Sequence, residues 1–207
     1  RAIFDRNEAA SWASAALATG GDVFIEGAQQ EEMMTFLNIF RKVGGDFDVH
    51  DDGIRFWHPG GALKPVTIET DVHPGFMTDW QQPLVVALTQ AEGVSTIHET
   101  VYENRFGFTE ALNKMGADIV VHPDGLHDER RRVMRREFEQ AAVITGPTPL
   151  IGADIVVPDL RGGFSYLIAG LTAQGQTRVS NLGIISRGYE NFIEKLRQLG
   201  ADFVFEG

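Results

Sequence analysis

The sequence predicts an α/β domain built from three consecutive βαβαββ units, with apolar helices inside and strands outside. Three observations predict it. The phrase Lys42-Val43-Gly44-Gly45-Asp46-Phe47 recurs as Lys114-Met115-Gly116-Ala117-Asp118-Ile119 and as Gln198-Leu199-Gly200-Ala201-Asp202-Phe203. Upstream stand Gly21, Gly93 and Gly175, which precede Gly44, Gly116 and Gly200 by 23, 23 and 25 residues. An apolar helical stretch leads into each upstream glycine. A fixed period of this kind marks units that bury their apolar faces on one another, here about 1–65, 66–140 and 141–207. A doubly wound sheet also alternates helix and strand but does not account for the period.

Each unit reads alike. The first helix, about Ala9 to Ala18, Gln81 to Ala91 and Phe164 to Ala173, is nearly all apolar and is expected to be buried and to stop at the upstream glycine. A short strand rich in β-branched or aromatic residues follows, at Val23 to Ile25, Ser95 to Ile97 and Thr177 to Val179. The second helix is amphipathic, with Phe36, Leu37, Phe40 and Val43; Phe108, Leu112 and Met115; and Phe192, Leu196 and Leu199 at helical spacing. It ends in a glycine suited to a left-handed cap, after which the chain returns as an alternating strand. Val66 to Glu69, Ala142 to Thr145 and Asp154 to Val157 supply the remaining strands.

Composition narrows the function. A chain of 207 residues, 43% hydrophobic, is long enough to bury a full core and is expected to form one domain. No apolar run approaches the roughly 20 residues that cross a bilayer, so no membrane association is expected. With no Cys, disulfides and thiolate metal sites are excluded, and no metal or cofactor is expected. No signal peptide is visible, and a cytoplasmic location is expected. The chain opens on Arg1, next to helix-like sequence, as a piece of a longer protein would. A net charge of -11 disfavours nucleic acid as a partner, so an anionic ligand needs a local arginine cluster. The one dense charge run, from His127 to Glu137, mixes both signs and reads as a solvated hairpin or insertion.

Fourteen residues before Gly21, Gly93 and Gly175 stand Asn7, Asp79 and Arg161, each where a strand hands over to an apolar helix. Ahead of the later amphipathic helices, Glu103-Asn104-Arg105 and Arg187-Gly188-Tyr189-Glu190 each supply one guanidinium. Helix N-termini favour anions, and arginine adds a bidentate fork, so Arg105, Arg161 and Arg187 could form a rim for phosphate or carboxylate. Each arginine could equally serve a structural ion pair, and Asp79 after Thr78 could simply cap its helix.

Four stretches carry more. His73-Pro74-Gly75-Phe76-Met77-Thr78-Asp79-Trp80-Gln81-Gln82-Pro83, Glu99-Thr100-Val101-Tyr102-Glu103-Asn104-Arg105-Phe106, Asp159-Leu160-Arg161 and Arg187-Gly188-Tyr189-Glu190 together resemble the UDP-N-acetylglucosamine 1-carboxyvinyltransferase family. The likeness runs from about Asp5 to the end and covers the family's second domain. It implies an inside-out α/β barrel facing a first domain of the same protein across a cleft. It also implies transfer of the enolpyruvyl group of phosphoenolpyruvate to the 3-hydroxyl of UDP-N-acetylglucosamine, an early step of peptidoglycan synthesis. On the resemblance, Asp79 contacts and deprotonates the sugar hydroxyl, the Val101 backbone contacts the sugar nucleotide, Arg187 clamps phosphoenolpyruvate, and Arg105 and Arg161 line the cleft.

The sequence also departs from the family. Ser186 stands where Asp is usual, Gly162-Gly163-Phe164 replace the usual small residues after Arg161, and the family's N-terminal lysine and its loop bearing a Cys or Asp general acid have no counterpart here. The chain alone is therefore expected to be inactive. Two alternatives stay open: a 3-phosphoshikimate 1-carboxyvinyltransferase-like enzyme, and a catalytically silent ligand-binding paralogue.

Overall fold

The computed structural model describes residues 4–123, 125 and 140–205; the charged run from His127 to Glu137 lies outside them, as does the side chain of Arg161. The chain runs α1 (Arg6–Thr19), β1 (Asp22–Glu26), α2 (Gln30–Val43), β2 (Asp46–His50), β3 (Gly53–Trp57), β4 (Thr67–Asp71), β5 (Phe76–Met77), α3 (Thr78–Leu88), β6 (Gly93–Glu99), α4 (Thr109–Lys114), β7 (Asp118–His122), β8 (Gln140–Gly146), β9 (Asp154–Val156), α5 (Leu160–Thr172), β10 (Arg178–Ser180), a 3-10 helix over Leu182–Arg187, and α6 (Phe192–Gln198).

The predicted inner helices α1, α3 and α5 pack on one another. Every residue of α1 from Glu8 to Leu17 is buried, and in α3 so are Thr78 and all residues from Trp80 to Leu88. Five buried alanines on α1 let its neighbours approach closely. Two of its buried polar residues, Ser11 and Ser14, return their hydroxyls to carbonyls one turn back, as a helix enclosed on all sides requires. Helix α2 is amphipathic: Met33, Phe36, Phe40 and Val43 are wholly buried, while Glu31 and Glu32 open the helix and Arg41 and Lys42 close it, each on the side its dipole favours. Phe36 and Phe40 meet Phe56 on β3, and Phe36 also meets Trp80 on α3, with ring centroids 5.3–6.4 Å apart, which ties the outer helix through to the centre.

Three separate sheets are formed among the described residues. The first is antiparallel in the order β1-β3-β2; the second has the order β5-β4-β6-β8-β7, with β8 antiparallel to both β6 and β7; the third is the parallel pair β9 and β10. Among the described residues these sheets do not close into a barrel. The third segment also falls short of the expected βαβαββ pattern. No strand follows α6, because Asp202–Phe205 finds no ladder partner among the described residues.

Two local expectations need correcting. The left-handed residue that closes α1 is Gly20, φ 68°, not Gly21, while α3 and α5 end at Leu88 and Thr172, several residues before Gly93 and Gly175. The periodic upstream glycines therefore lead into strands rather than cap helices. Leu199, expected on the apolar face of the last helix, is its C-cap and half exposed, since the helix has ended before it. The glycines of the recurring phrase behave as expected: Gly44, Gly116 and Gly200 all take positive φ as their helices end.

Candidate active site

Asn7, Asp79 and Arg161 are the second residues of α1, α3 and α5. Asp79 is not the cap of its helix. Met77 is the N-cap of α3, and the Thr78 hydroxyl turns inward to the carboxylate of Glu99 at 2.8 Å. The Oδ1 of Asp79 accepts from Arg105, and its Oδ2 lies 3.4 Å from the Asn7 side-chain amide nitrogen, a weak contact. The Asp79 and Arg105 side chains are 21% and 19% exposed, so the pair is held mainly by protein yet open on one side. Arg105 also lies against the Tyr102 ring, 5.6 Å from its centroid.

The loop bearing Arg105 is fixed from below. Glu99, at the end of β6, is fully buried and takes the backbone amides of Val101 at 2.7 Å and Tyr102 at 3.0 Å. The Val101 amide is thus occupied. Thr100 ties the loop to β4, its amide donating to the Thr70 hydroxyl and its hydroxyl to the Thr70 carbonyl. Asn104, φ 52°, turns the chain back toward α3 just before Arg105.

Arg187 ends the 3-10 helix and is exposed. Its loop is pinned to the starts of the inner helices. Tyr189 is buried, stacks on Phe164 of α5 at 4.5 Å between centroids, and shares a 2.9 Å hydrogen bond with Ser11 of α1. A side chain at Gly163 would come within 2.8 Å of Ile185, and one at Gly188 within 2.8 Å of Leu160. Gly163 and Gly188 therefore let the Arg187 segment seat on the first turn of α5, whose N-cap Asp159 accepts from the Gly162 amide at 2.8 Å. Ser186, where the resemblance leads one to expect Asp, only returns its hydroxyl to Gly183.

The amino ends of α1, α3 and α5 thus gather Asn7, Asp79, Arg105, the backbone of Arg161 and the loop of Arg187. Glu99, Gln81 and Tyr189 were not singled out from sequence. The signal for Glu99 was a carboxylate ending an apolar strand, which the motif reading passed over. Two surface cavities of about 360 Å³ lie elsewhere, one between the carboxyl end of α1 and the residues after α3, the other beside β4. Among the described residues no cluster of His, Asp and Glu is disposed to hold a metal, and no helix is long and apolar enough to cross a membrane. Burial pushes the Tyr166 phenol up to about 12, so it stays neutral in the core.

The profile of the EPSP synthase (3-phosphoshikimate 1-carboxyvinyltransferase) family matches residues 1–196. A UDP-N-acetylglucosamine 1-carboxyvinyltransferase of Protochlamydia amoebophila is 54% identical over 200 residues, covering 97% of this chain and 43% of that protein. Its namesake in Chlamydia abortus is 47% identical over 200 residues, covering 96% of this chain and 45% of that protein. The chain spans less than half the length of these relatives. Among solved structures, the enolpyruvyl transferase NikO from Streptomyces tendae superposes with a TM-score of 0.80 at 27% identity, covering 97% of this chain and 44% of NikO. An EPSP synthase from Acinetobacter baumannii superposes at 0.68 with 19% identity, covering 97% of this chain and 46% of that one, a likeness of fold alone. The fold is the mixed α/β fold of enolpyruvyl transferases, and the chain belongs to the EPSP synthase (3-phosphoshikimate 1-carboxyvinyltransferase) family.

Proposed function

We propose that this chain is one domain of a UDP-N-acetylglucosamine 1-carboxyvinyltransferase and supplies half of its active site. The observation that carries the reading is Asp79, held by Arg105 at the start of an inner helix, in a chain 54% identical to a relative of that name. In the reaction, the sugar 3-hydroxyl oxygen bonds to C2 of phosphoenolpyruvate while C3 gains a proton. The resulting tetrahedral intermediate then loses phosphate and a C3 proton to leave the enolpyruvyl ether. Asp79 takes the hydroxyl proton. Arg105 holds its carboxylate in place. The Val101 backbone meets the sugar nucleotide, and Arg161 and Arg187 stabilise the carboxylate and the departing phosphate.

The donor of the C3 proton and the remaining cations belong to a first domain of the same protein. On this reading residues 1–207 form one domain, its three segments being copies of a βαβαββ unit about a pseudo-threefold axis, an inside-out α/β barrel once complete. The enzyme works in the cytoplasm, in peptidoglycan synthesis. The family profile's own description favours a second reading, with shikimate 3-phosphate as acceptor. Binding of each acceptor to the longer protein separates the two.

The test is phosphate release from both substrates by the isolated chain, by the chain mixed with the separately made first domain, and by that mixture carrying Asp79→Asn. Activity only on mixing, lost with Asn at 79, is the expected result. Turnover by the isolated chain, or by the Asp79→Asn mixture at the parent rate, overturns the reading.

A further inference from the structure

Glu99 is a fully buried carboxylate that pairs with no cation among the described residues. Burial of such a group is costly unless its lone pairs are met, and here four neutral donors meet them. The Thr78 hydroxyl and the Gln81 side-chain amide converge on Oε2, and the backbone amides of Val101 and Tyr102 converge on Oε1. The two pairs of donors come from different elements. Thr78 and Gln81 flank Asp79 in the first turn of α3, whereas Val101 and Tyr102 open the loop that carries Arg105 to Asp79.

One carboxylate therefore bridges the two elements whose side chains form the Asp79–Arg105 pair. We propose that Glu99 is a positioning residue, which sets the separation and orientation of Asp79 and Arg105 without touching substrate. The proposal rests on the role given to Asp79 above. A carboxylate suits the task because all four neighbours donate. An amide in its place keeps one oxygen for the two backbone donors but presents N–H groups to Thr78 and Gln81. Thr78 can accept instead of donating. Gln81 must turn its amide over to offer Oε1, an atom that is buried and without a partner as it stands. Glu99→Gln thus spares the loop and disturbs the helix side alone.

The experiment measures phosphate release with phosphoenolpyruvate and UDP-N-acetylglucosamine by the longer protein that carries this chain. It compares the parent with Glu99→Gln, Gln81→Met, the exchange Gln81→Glu with Glu99→Gln, and Asp79→Asn, with Tm recorded for each. Glu99→Gln should lower kcat roughly tenfold to a hundredfold, the scale of a small misplacement of a reacting group, with KM for both substrates within about threefold of the parent. Gln81→Met, which cuts one tie on the helix side and leaves the loop side intact, should lower kcat several-fold in the same way. The exchanged pair restores a carboxylate facing an amide and should regain about tenfold of the loss, as directly interacting residues do. Parent-like kcat in both Glu99→Gln and Gln81→Met, beside an inactive Asp79→Asn, would overturn the positioning role and leave the proposed function standing. KM rising in step with the fall in kcat would also overturn it, since the loop rather than Asp79 would then have moved. Parent-like turnover by Asp79→Asn would remove the proposed function and this inference together.

Discussion

The first and second segments align on Gly21 and Gly93, yet one builds core where the other builds a site. Fourteen residues before the glycine they carry Asn7 and Asp79, six after it Gly27 and Glu99, and twelve after it Met33 and Arg105. Gly27, φ 77°, turns the chain at once, and α2 begins at Gln30, nine residues past Gly21. Met33 then lies in the first turns of that helix with no exposed surface. Glu99 instead prolongs β6, and its oxygens take the amides of Val101 and Tyr102, so the following residues stay in a loop. Helix α4 begins only at Thr109, 16 residues past Gly93, and the position that was Met33 becomes Arg105 beside Asp79. The third segment follows the second: Arg187 stands twelve residues past Gly175, in a 3-10 helix ahead of α6. Delaying the second helix frees a stretch of chain to carry a guanidinium.

Exchanging the aligned residues is the strongest way to break this comparison. Met33→Arg places an unpaired charge in the core and should cost on the order of 4 kcal/mol or more, enough to unfold much of the protein. Arg105→Met removes one partner of a partly exposed pair and should cost roughly 1–2 kcal/mol, discounted for the solvent that reaches both side chains. In the longer protein the same change should lower turnover by about a hundredfold or more, because Asp79 loses its orienting cation. Denaturant unfolding with an assay of phosphate release checks both. Comparable losses of stability in the two variants would mean that the aligned positions do not differ in role.

Within the site, Arg187→Ala in the longer protein sharpens the likeness between the second and third segments. Arg187 is exposed and its loop is anchored by Tyr189, Gly163 and Gly188 rather than by its own side chain, so the fold should hold. Loss of a charge-assisted contact to a small anion should raise KM for phosphoenolpyruvate at least tenfold, with sugar-nucleotide binding changed much less. Equal losses for both substrates would point to a displaced loop.

The periodic phrases and helix patterns made the inner helices and α2 legible in the sequence, because apolar spacing and glycine caps are local signals. The same spacing located Asn7, Asp79 and Arg161 at helix starts, and the motifs picked out Arg105 and Arg187. Less local features were not legible. Asp79 looked like a cap because its carboxylate could have bonded its own helix; the helix already runs through Thr78 from its N-cap at Met77, and the Thr78 hydroxyl serves a buried acceptor 21 residues away, Glu99. Glu99 looked like the polar end of a strand, since nothing in the sequence shows which donors converge on it. The missing strands of the third segment were beyond reach for a related reason: a strand exists only if a partner edge is available, and Asp202–Phe205 has none among the described residues.

A smaller effect is expected at Gly27, where the first segment turns. Its φ of 77° costs an alanine about 1–2 kcal/mol, although an added Cβ would sit at an ordinary 3.5 Å from Phe4. Asparagine tolerates that conformation better, and Asn181 occupies the aligned place in the third segment with φ 65°. Gly27→Asn should therefore melt above Gly27→Ala. The reverse order would trace the cost to crowding at Phe4 and not to the backbone.

The smallest effect concerns the outer faces of the two sheets. Asp22 and Val94 are the residues that follow the aligned glycines. Val94 is exposed opposite Thr145, whereas Asp22 accepts from Arg55 Nε at 2.9 Å. Both members of the Asp22–Arg55 pair are nearly half exposed, so solvent screens the attraction, and Asp22→Asn should leave Tm at pH 7 almost unchanged. The hydrogen bond from Arg55, more than its charge alone, holds the Asp22 carboxyl below its usual range. A carboxyl held low in the folded state contributes stability above its unfolded value near 4, and that contribution is lost as the pH falls through the folded value. Any margin of the parent over Asp22→Asn should accordingly be present at pH 7 and fade as the pH drops below about 4. Melting curves of the two proteins at neutral and acid pH provide the check. A deficit at pH 7 as large as that of Gly27→Ala, or one that grows on acidification, would show that the first sheet depends on this charge where the second makes do with a valine.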